Sequence, residues 1–317
     1  MQVSIIIPLY NEAESLPELC SWIQRVLDKE SLSYEIWCID DGSTDASWDT
    51  IVKLKALNPQ IKALRFRTNQ GKSAALNCGF ERAQGNVVIT MDADLQDSPD
   101  EIPVLYSKIA NEGFDLVSGW KQNRKDSRIF KNIPSRWYNK VTGKISGIKL
   151  HDMNCGLKAY TNVLVKTIEV YGEMHRFIPV IAKSAGFKKI TEIPVVHQAR
   201  KYGHSKFGWN RFVNGFLDLW TISFMTRFSK RPMHFFGTLG TLMFMAGFGL
   251  IVYLGTYKLF CTWNHIVARK ITDRPSFYIA LTTIVLGNLL FIAGFLGEMI
   301  QRNAPHRNSY PIAEELK

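Results

Sequence analysis

The stretch Val87-Val88-Ile89-Thr90-Met91-Asp92-Ala93-Asp94-Leu95-Gln96-Asp97 decides how this chain is read. Its first five residues are mostly apolar and rich in β-branched side chains, the composition of a buried strand. Acids begin where that strand should leave the sheet. In an extended chain successive side chains alternate faces, so Asp92 and Asp94 project the same way, with Gln96 next in line. Two neighbouring carboxylates repel each other unless a cation sits between them, and hard oxygen ligands suit Mg2+ or Mn2+. Taken alone, an Asp-x-Asp is more often an acidic loop after a strand, and it is the rest of the chain that reverses that reading.

That pattern is an alternation of short apolar runs with helical ones. Strands are expected over 3–8, 34–39, 60–67, 86–91 and 114–118, and helices over about 13–29, 44–57, 72–84 and 99–112. Such alternation gives an α/β fold with a mostly parallel, doubly wound sheet, whose ligands bind at the carboxyl ends of the strands. The polar clusters fall at those ends. Pro8-Leu9-Tyr10-Asn11-Glu12 follows the first strand and Asp40-Asp41-Gly42-Ser43-Thr44-Asp45 the second. Gly42 permits a tight turn, and Ser43 or Thr44 is suited to cap the next helix. Asp40 and Asp41 are placed to accept hydrogen bonds from a base N–H and from ribose hydroxyls.

Gly71-Lys72-Ser73 imitates the end of a phosphate-binding loop, but such a loop needs glycine at position 66, which is Phe66. The four-residue spacing of Gly71, Ala75 and Gly79 reads instead as a ridge of small residues that lets the helix lie close on the sheet.

From 120 to 150 the alternation stops and the chain turns basic, with Lys121, Arg124, Lys125 and Arg128 interleaved with Ile129, Phe130, Trp137 and Tyr138. This is either an ordinary amphipathic surface helix or a segment lying on a membrane surface. His151-Asp152-Met153-Asn154-Cys155-Gly156 reads as a turn before a short strand, and Glu173–Pro179 opens a helix. His197–Lys206 is a polar, glycine-bearing loop whose Arg200, Ser205 and Lys206 are suited to phosphate.

Beyond Phe207 the character changes. Trp209, Phe212, Val213, Phe216, Leu217 and Trp220 form an amphipathic stripe that Pro232 ends. Two uncharged apolar runs follow, about 235–257 and 276–297, each long enough to span a bilayer. The expected organisation is a catalytic domain over 1–206, a juxtamembrane amphipathic helix over 207–234, two transmembrane helices with their loop over 235–300, and a tail over 301–317. An even number of spans puts both termini on one side. The loop between them is itself basic (Lys258, Arg269, Lys270, Arg274), so charge bias does not orient the pair.

The chain has 317 residues and a net charge of +11, which predicts attraction to something anionic. The basic residues cluster beside aromatics and next to the apolar runs, which favours lipid headgroups over nucleic acid. Five scattered cysteines without CxxC spacing indicate neither a zinc site nor a disulfide framework and fit a reducing compartment.

Together, Ile7–Glu12, Asp40–Asp45, Met91–Asp97 and Arg200–Lys206 make the chain resemble a family 2 glycosyltransferase of GT-A fold. More closely, it is similar to the polyprenyl-phosphate group that includes dolichyl-phosphate mannose synthase and bactoprenol glucosyltransferase. The resemblance covers roughly residues 1–230, and the paired C-terminal spans match the bactoprenol branch. It implies that Pro8, Tyr10, Glu12, Asp40 and Asp41 line the nucleotide pocket and that Asp92, Asp94 and Gln96 hold Mn2+ or Mg2+. Arg200, Ser205 and Lys206, helped by Lys121 or Arg124, would hold donor or lipid phosphates, and Asp152 would orient the acceptor. The implied reaction is inverting transfer of a hexose, UDP-glucose being favoured as donor over GDP-sugars, to a polyprenyl phosphate. The implied setting is a multi-pass protein of the inner membrane with its catalytic domain in the cytosol, assembled as a homo-oligomer such as a tetramer. A processive polysaccharide synthase is the nearest rival, but its Gln-x-x-Arg-Trp motif is missing: Ile133 stands where glutamine should precede Arg136-Trp137.

Overall fold

The computed structural model describes residues 1–122, 148, 150–172, 174–198, 201, 232–267, 269–302 and 312–316. The expectations for Arg124, Arg200, Ser205, Lys206, the basic stretch after 122 and the amphipathic stripe over 207–231 fall outside the described residues. The chain divides into two compact units, Met1–Ser223 joined by Asn308–Lys317, and Phe224–Arg307.

The first unit is built on β1 (Val3–Leu9), β2 (Tyr34–Asp40), β3 (Ile61–Phe66), β4 (Val87–Thr90), β5 (Leu116–Lys121), β6 (Lys158–Thr161), β7 (Ile190–Val195) and β8 (Ile312–Leu316). Among the described residues these form one sheet in the order β7-β5-β6-β4-β1-β2-β3-β8. β1 lies parallel to both neighbours, with Ile5 opposite Ile36 on one side and Ile89 on the other. β6 and β8 run antiparallel, β6 between β4 and β5, β8 along the outer edge of β3.

The central strands are covered on both faces, which is why they read as unbroken apolar runs. Val3, Ile5, Ile6 and Ile7 of β1 are all fully buried. The covering helices include α1 (Leu16–Lys29), α2 (Ser47–Leu57), α3 (Lys72–Arg82) and α4 (Ile102–Ala110). α1 buries Leu16, Leu19, Cys20, Ile23, Val26 and Leu27, the one-sided spacing of an amphipathic helix. α3 does lie close on the sheet: a Cβ at Gly79 would run into Ile6, and Ala75 is fully buried. Gly71 is not part of that ridge. It precedes the helix at φ +90, with nothing near its Cβ position, and serves the backbone turn instead.

Two further α-helices among the described residues of this unit are α5 (Asn162–Thr167) and α6 (Ile178–Ser184). The segment after the apolar runs, expected only as a tail, supplies β8. Its Glu314 accepts from Trp48 Nε1 at 2.9 Å, and Glu315 pairs with Arg82 at 3.1 Å.

The second unit is a helical pair, α7 (Pro232–Trp263) and α8 (Pro275–Arg302). Over Met233–Trp263 and Pro275–Ile300 both are long and apolar enough to cross a membrane, with mean hydropathy 1.9 and 2.2. They meet through small residues: a Cβ at Gly240 would lie 2.5 Å from the Gly287 carbonyl, and one at Gly287 would lie 2.7 Å from the Gly240 carbonyl. Leu242, Met245, Tyr253 and Phe260 remain exposed. So large an exposed apolar patch suits a lipid environment better than water and agrees with a pair of candidate membrane spans.

Candidate active site

Three loops at the carboxyl ends of β1, β2 and β4 form the site, and they are tied to one another by hydrogen bonds. Asn11, in the left-handed region at φ 56, donates its N–H to Ser43 Oγ at 2.9 Å and accepts at Oδ1 from the N–H of Thr44 at 2.8 Å. The Glu12 N–H donates to Ser47 Oγ at 2.9 Å. Ser43 and Thr44 therefore do not cap the next helix, which begins only at Ser47. They lock the first loop to the second.

Asp41 extends the lock to a further segment. Its carboxylate accepts from the N–H of Gln70 at 2.6 Å and of Gly71 at 2.9 Å, pinning the turn that launches α3. Gly42, at φ 72, leaves no room for a side chain there: a Cβ would meet the Thr68 carbonyl carbon at 2.8 Å. Burial pushes the Asp41 carboxyl up, with Asp40 adding repulsion and the two N–H donors opposing.

The Asp-x-Asp segment departs from the extended reading. β4 ends at Thr90, and residues 93–95 turn, with Leu95 at φ 58. Asp92 and Asp94 still face one cavity, but through a turn and not through strand alternation. Gln96, expected next in line, is not among the cavity's lining residues. Its N–H donates to Asp94 Oδ1 at 3.3 Å, and its carbonyl accepts from the Gln198 N–H at 2.8 Å.

The cavity measures about 220 Å³ and is lined by Pro8, Leu9, Tyr10, Glu12, Asp41, Lys72, Asp92, Ala93 and Asp94. Lys72 is the basic member, and its ammonium pairs with Asp92 Oδ1. Burial works against ionising Asp92. The charge and hydrogen bond of Lys72, with the charge of Lys121 adding to them, outweigh it and hold the carboxyl down to about 2. Behind Lys72, Ser73 Oγ accepts from the His175 N–H at 3.0 Å and lies 3.1 Å from its Nδ1. Burial, then Lys72 and Arg176, push that imidazole down to about 2, so it is neutral at physiological pH. Gly156 backs Asp92: a Cβ there would lie 2.5 Å from the carboxylate. Thr90 Oγ1 donates to the Gly156 carbonyl at 2.9 Å and holds it in place.

The remaining expected residues are placed as follows. Asp40 is fully buried, accepts from the Ser43 N–H at 2.8 Å and faces Arg65 Nε at 3.5 Å, next to the Asp41 turn. Lys121 is turned toward Asp97 at 2.7 Å. Burial would lower the Lys121 amine, but Asp97 and its other neighbours raise it above the ordinary lysine range. Asp152 is buried, accepting at Oδ1 from the Asn154 N–H at 3.1 Å.

Lys72, Gly156 and Asp97 escape a reading of the sequence. Asp97 is fully buried, pairs with Lys121, lies 4.0 Å from His197 Nδ1, and bridges His197 through the backbone. The start of the 197–206 stretch is thereby fastened to the Asp-x-Asp turn.

Among the described residues no cluster of three or more His, Cys, Asp or Glu forms a metal cage. A cation shared with a diphosphate needs none, since one or two carboxylates plus phosphate oxygens and water complete its shell. Asp92 and Asp94 on one cavity wall fit that description.

Residues 4–168 match the family model described as Glycosyl transferase family 2. The chain belongs to that family. It is a glycosyltransferase, and its first unit is a GT-A fold. Among similar proteins, a dodecaprenyl-phosphate galacturonate synthase of Rhizobium johnstonii is 35% identical over 307 residues, covering 95% of this chain and 88% of that protein. An undecaprenyl-phosphate 4-deoxy-4-formamido-L-arabinose transferase of Salmonella choleraesuis is 37% identical over 259 residues, 81% and 77% of the two chains. Among solved structures, mannosyl-3-phosphoglycerate synthase from Rubrobacter xylanophilus superposes with a TM-score of 0.58 at 15% identity, covering 72% of this chain and 75% of that one. Glucosyl-3-phosphoglycerate synthase from Mycobacterium tuberculosis, solved with Mn2+, UDP-glucose and phosphoglyceric acid, gives 0.54 at 14% identity, covering 71% and 79%. At such identities the glycosyltransferase shares the fold with these enzymes and no more.

Proposed function

We propose that this glycosyltransferase moves one sugar from a nucleotide diphosphate donor to a polyprenyl phosphate at a membrane surface. The observation that carries the reading is the cavity in which Asp92 and Asp94 meet the β1 and β2 loops, in a chain similar over 95% of its length to a polyprenyl-phosphate glycosyltransferase.

In this reading Pro8, Tyr10, Glu12 and Asp41 surround the nucleoside, while Asp92 and Asp94 face the diphosphate. A divalent cation held there would neutralise the charge that grows on the departing nucleoside diphosphate. The acceptor phosphate, with a second pKa of about 6 like other phosphomonoesters, is already largely ionised at neutral pH. Its oxygen bonds to the anomeric carbon from the face opposite the leaving group, and the bond to the diphosphate breaks with its electron pair. An α-linked donor then yields a β-linked product. Arg200, Ser205 and Lys206 are assigned to phosphate. Asp152 is assigned to orient the acceptor, with no proton transfer required of it.

Chain connectivity supports a hairpin whose two ends share one face of the membrane. The chain leaves the catalytic unit, passes through two spans and returns as β8 to the same sheet. Two crossings, with both ends on one face, satisfy that path. The catalytic unit's four free, buried thiols (Cys20, Cys38, Cys78 and Cys155) support a cytosolic face for it.

The sugar rests on less. The two-span branch favours UDP-glucose, while the relatives just described carry galacturonate and 4-deoxy-4-formamido-L-arabinose in their names. A transfer assay decides: the purified chain, Mn2+ or Mg2+, undecaprenyl or dolichyl phosphate, and each labelled nucleotide sugar in turn. Label entering the organic phase with one donor, and stopping with EDTA, is the expected result. Nucleotide binding without transfer to either lipid would move the acceptor assignment to a polymer or a protein.

A further inference from the structure

We infer that Lys72 is a resident counter-ion for Asp92, one that competes with the divalent cation and passes to the donor's diphosphate, so that metal and donor bind cooperatively. The inference rests on the proposed reading of the cavity and adds a residue to it.

Three observations carry it. The Lys72 ammonium pairs with Asp92 Oδ1, one of the two carboxylates assigned to the metal, inside the cavity that also contains Asp94. Gly156 packs against the Asp92 carboxylate and restricts its movement on that side. When a cation takes Asp92, the ammonium is therefore the group that moves. Lys72 is free to do so: its side chain is 34% exposed, and it is the first residue of α3, with no turn of helix before it. The neighbouring basic groups are engaged elsewhere, Lys121 with Asp97 and Lys158 with the Cys155 carbonyl.

A cation and an ammonium on one carboxylate oppose each other, so the ammonium weakens metal binding when the metal comes alone. A diphosphate offers the ammonium new anionic oxygens within the same cavity. Once it moves there, Asp92 is released to the metal. Coupling of this kind is reciprocal: the metal must strengthen donor binding by the same factor.

The test measures Mn2+ binding to the purified full chain, by electron paramagnetic resonance of free Mn2+, with and without UDP. In the wild type UDP should tighten Mn2+ by roughly tenfold or more. Lys72→Met, similar in length and uncharged, should bind Mn2+ alone roughly tenfold tighter than wild type, bind UDP more weakly, and lose most of the coupling. Lys72→Arg should keep the coupling, and Lys72→Gln replaces the Met variant should that one misfold. A neutral variant that is folded by circular dichroism, with unchanged or weaker Mn2+ affinity, overturns the inference and leaves the proposed function standing. A wild type that binds no Mn2+ even with UDP removes both.

Discussion

The hydrogen of Gly156 faces the carboxylate of Asp92, and a methyl in its place would lie 2.5 Å from that group. The glycine is thus a mould for an acid more than sixty positions earlier in the chain, and its conformational freedom is not what matters. Gly156→Ala should displace Asp92 while leaving the sheet intact. Because misplacing a reacting group by about 1 Å can cost about a hundredfold in rate, kcat should fall by that order. Transfer kinetics beside a thermal melt check it, and an unchanged kcat would mean that Asp92 needs no fixed position.

Asp92 and Asp94 should behave differently when removed. Asp94→Ala deletes a cavity carboxylate, so transfer should fall by about 10³-fold or more with folding unaffected. Asp92→Ala also strands the Lys72 ammonium, so it should lose transfer and shift the melting point as well. Full activity in the Asp94 variant would sink the metal assignment.

The first unit could be read largely from its letters because β1, β2 and β4 are buried on both faces and carry little but apolar side chains. Their ends fall within a residue or two of expectation. What could not be read depends on contacts distant in sequence. The turn after Met91 needs Leu95 at positive φ, which local preference disfavours, so strand alternation misplaced Gln96. Lys72 meets Asp92 from a turn that Asp41 fastens at Gly71, a contact between segments distant in sequence. Ile312–Leu316 looks like an acidic tail until Trp48 and Arg82, more than 200 positions away, give its two acids partners. The two long apolar helices, by contrast, needed no partner to be read, since length and apolarity alone mark them as candidate spans.

Glu35 provides a pH test of the fold away from the site. It is fully buried and accepts from Ser4 Oγ at 2.6 Å, the Gln84 N–H at 2.7 Å and Lys62 Nζ at 2.9 Å. Burial alone would raise its carboxyl, but those donors together lower it below the ordinary glutamate range. A lowered folded pKa means stability that is present above the unfolded value of about 4.3 and is lost as pH falls through the folded one. Glu35→Gln should cost on the order of 2 kcal/mol at neutral pH. Melting curves of the two proteins should converge as pH drops below about 4.3. A gap that stays constant with pH would show that the network does not depend on the charge.

In the helical pair the close approach of Gly240 and Gly287 makes a paired comparison possible. A side chain at either meets the opposite backbone, which cannot yield as a flexible side chain can, whereas Gly249 has nothing within 4 Å. Gly240→Leu should push α7 from α8 and cost about 1–3 kcal/mol. Gly249→Leu should be silent. Thermal unfolding in detergent micelles measures both, and equal effects would place the contact elsewhere.

The C-terminal strand ties the end of the chain to its beginning. β8 covers the edge of β3 and places Glu314 on Trp48 and Glu315 on Arg82. Stopping the chain at 311 would expose that edge, and an uncovered strand edge invites pairing with other chains. The truncated protein should melt lower and aggregate sooner than wild type in light scattering. Arg82→Ala, which removes the ion pairs to Glu315 and Glu81 and leaves the strand in place, should show only part of the effect. The same strand bears on the proposed two-span topology. A protease site added after Lys317 should be cut from the face that exposes a site added before Met1, and from the opposite face it should be protected. Cleavage of the two tags from opposite faces would require an odd number of crossings and would exclude the pairing of β8 with β3 in the same chain.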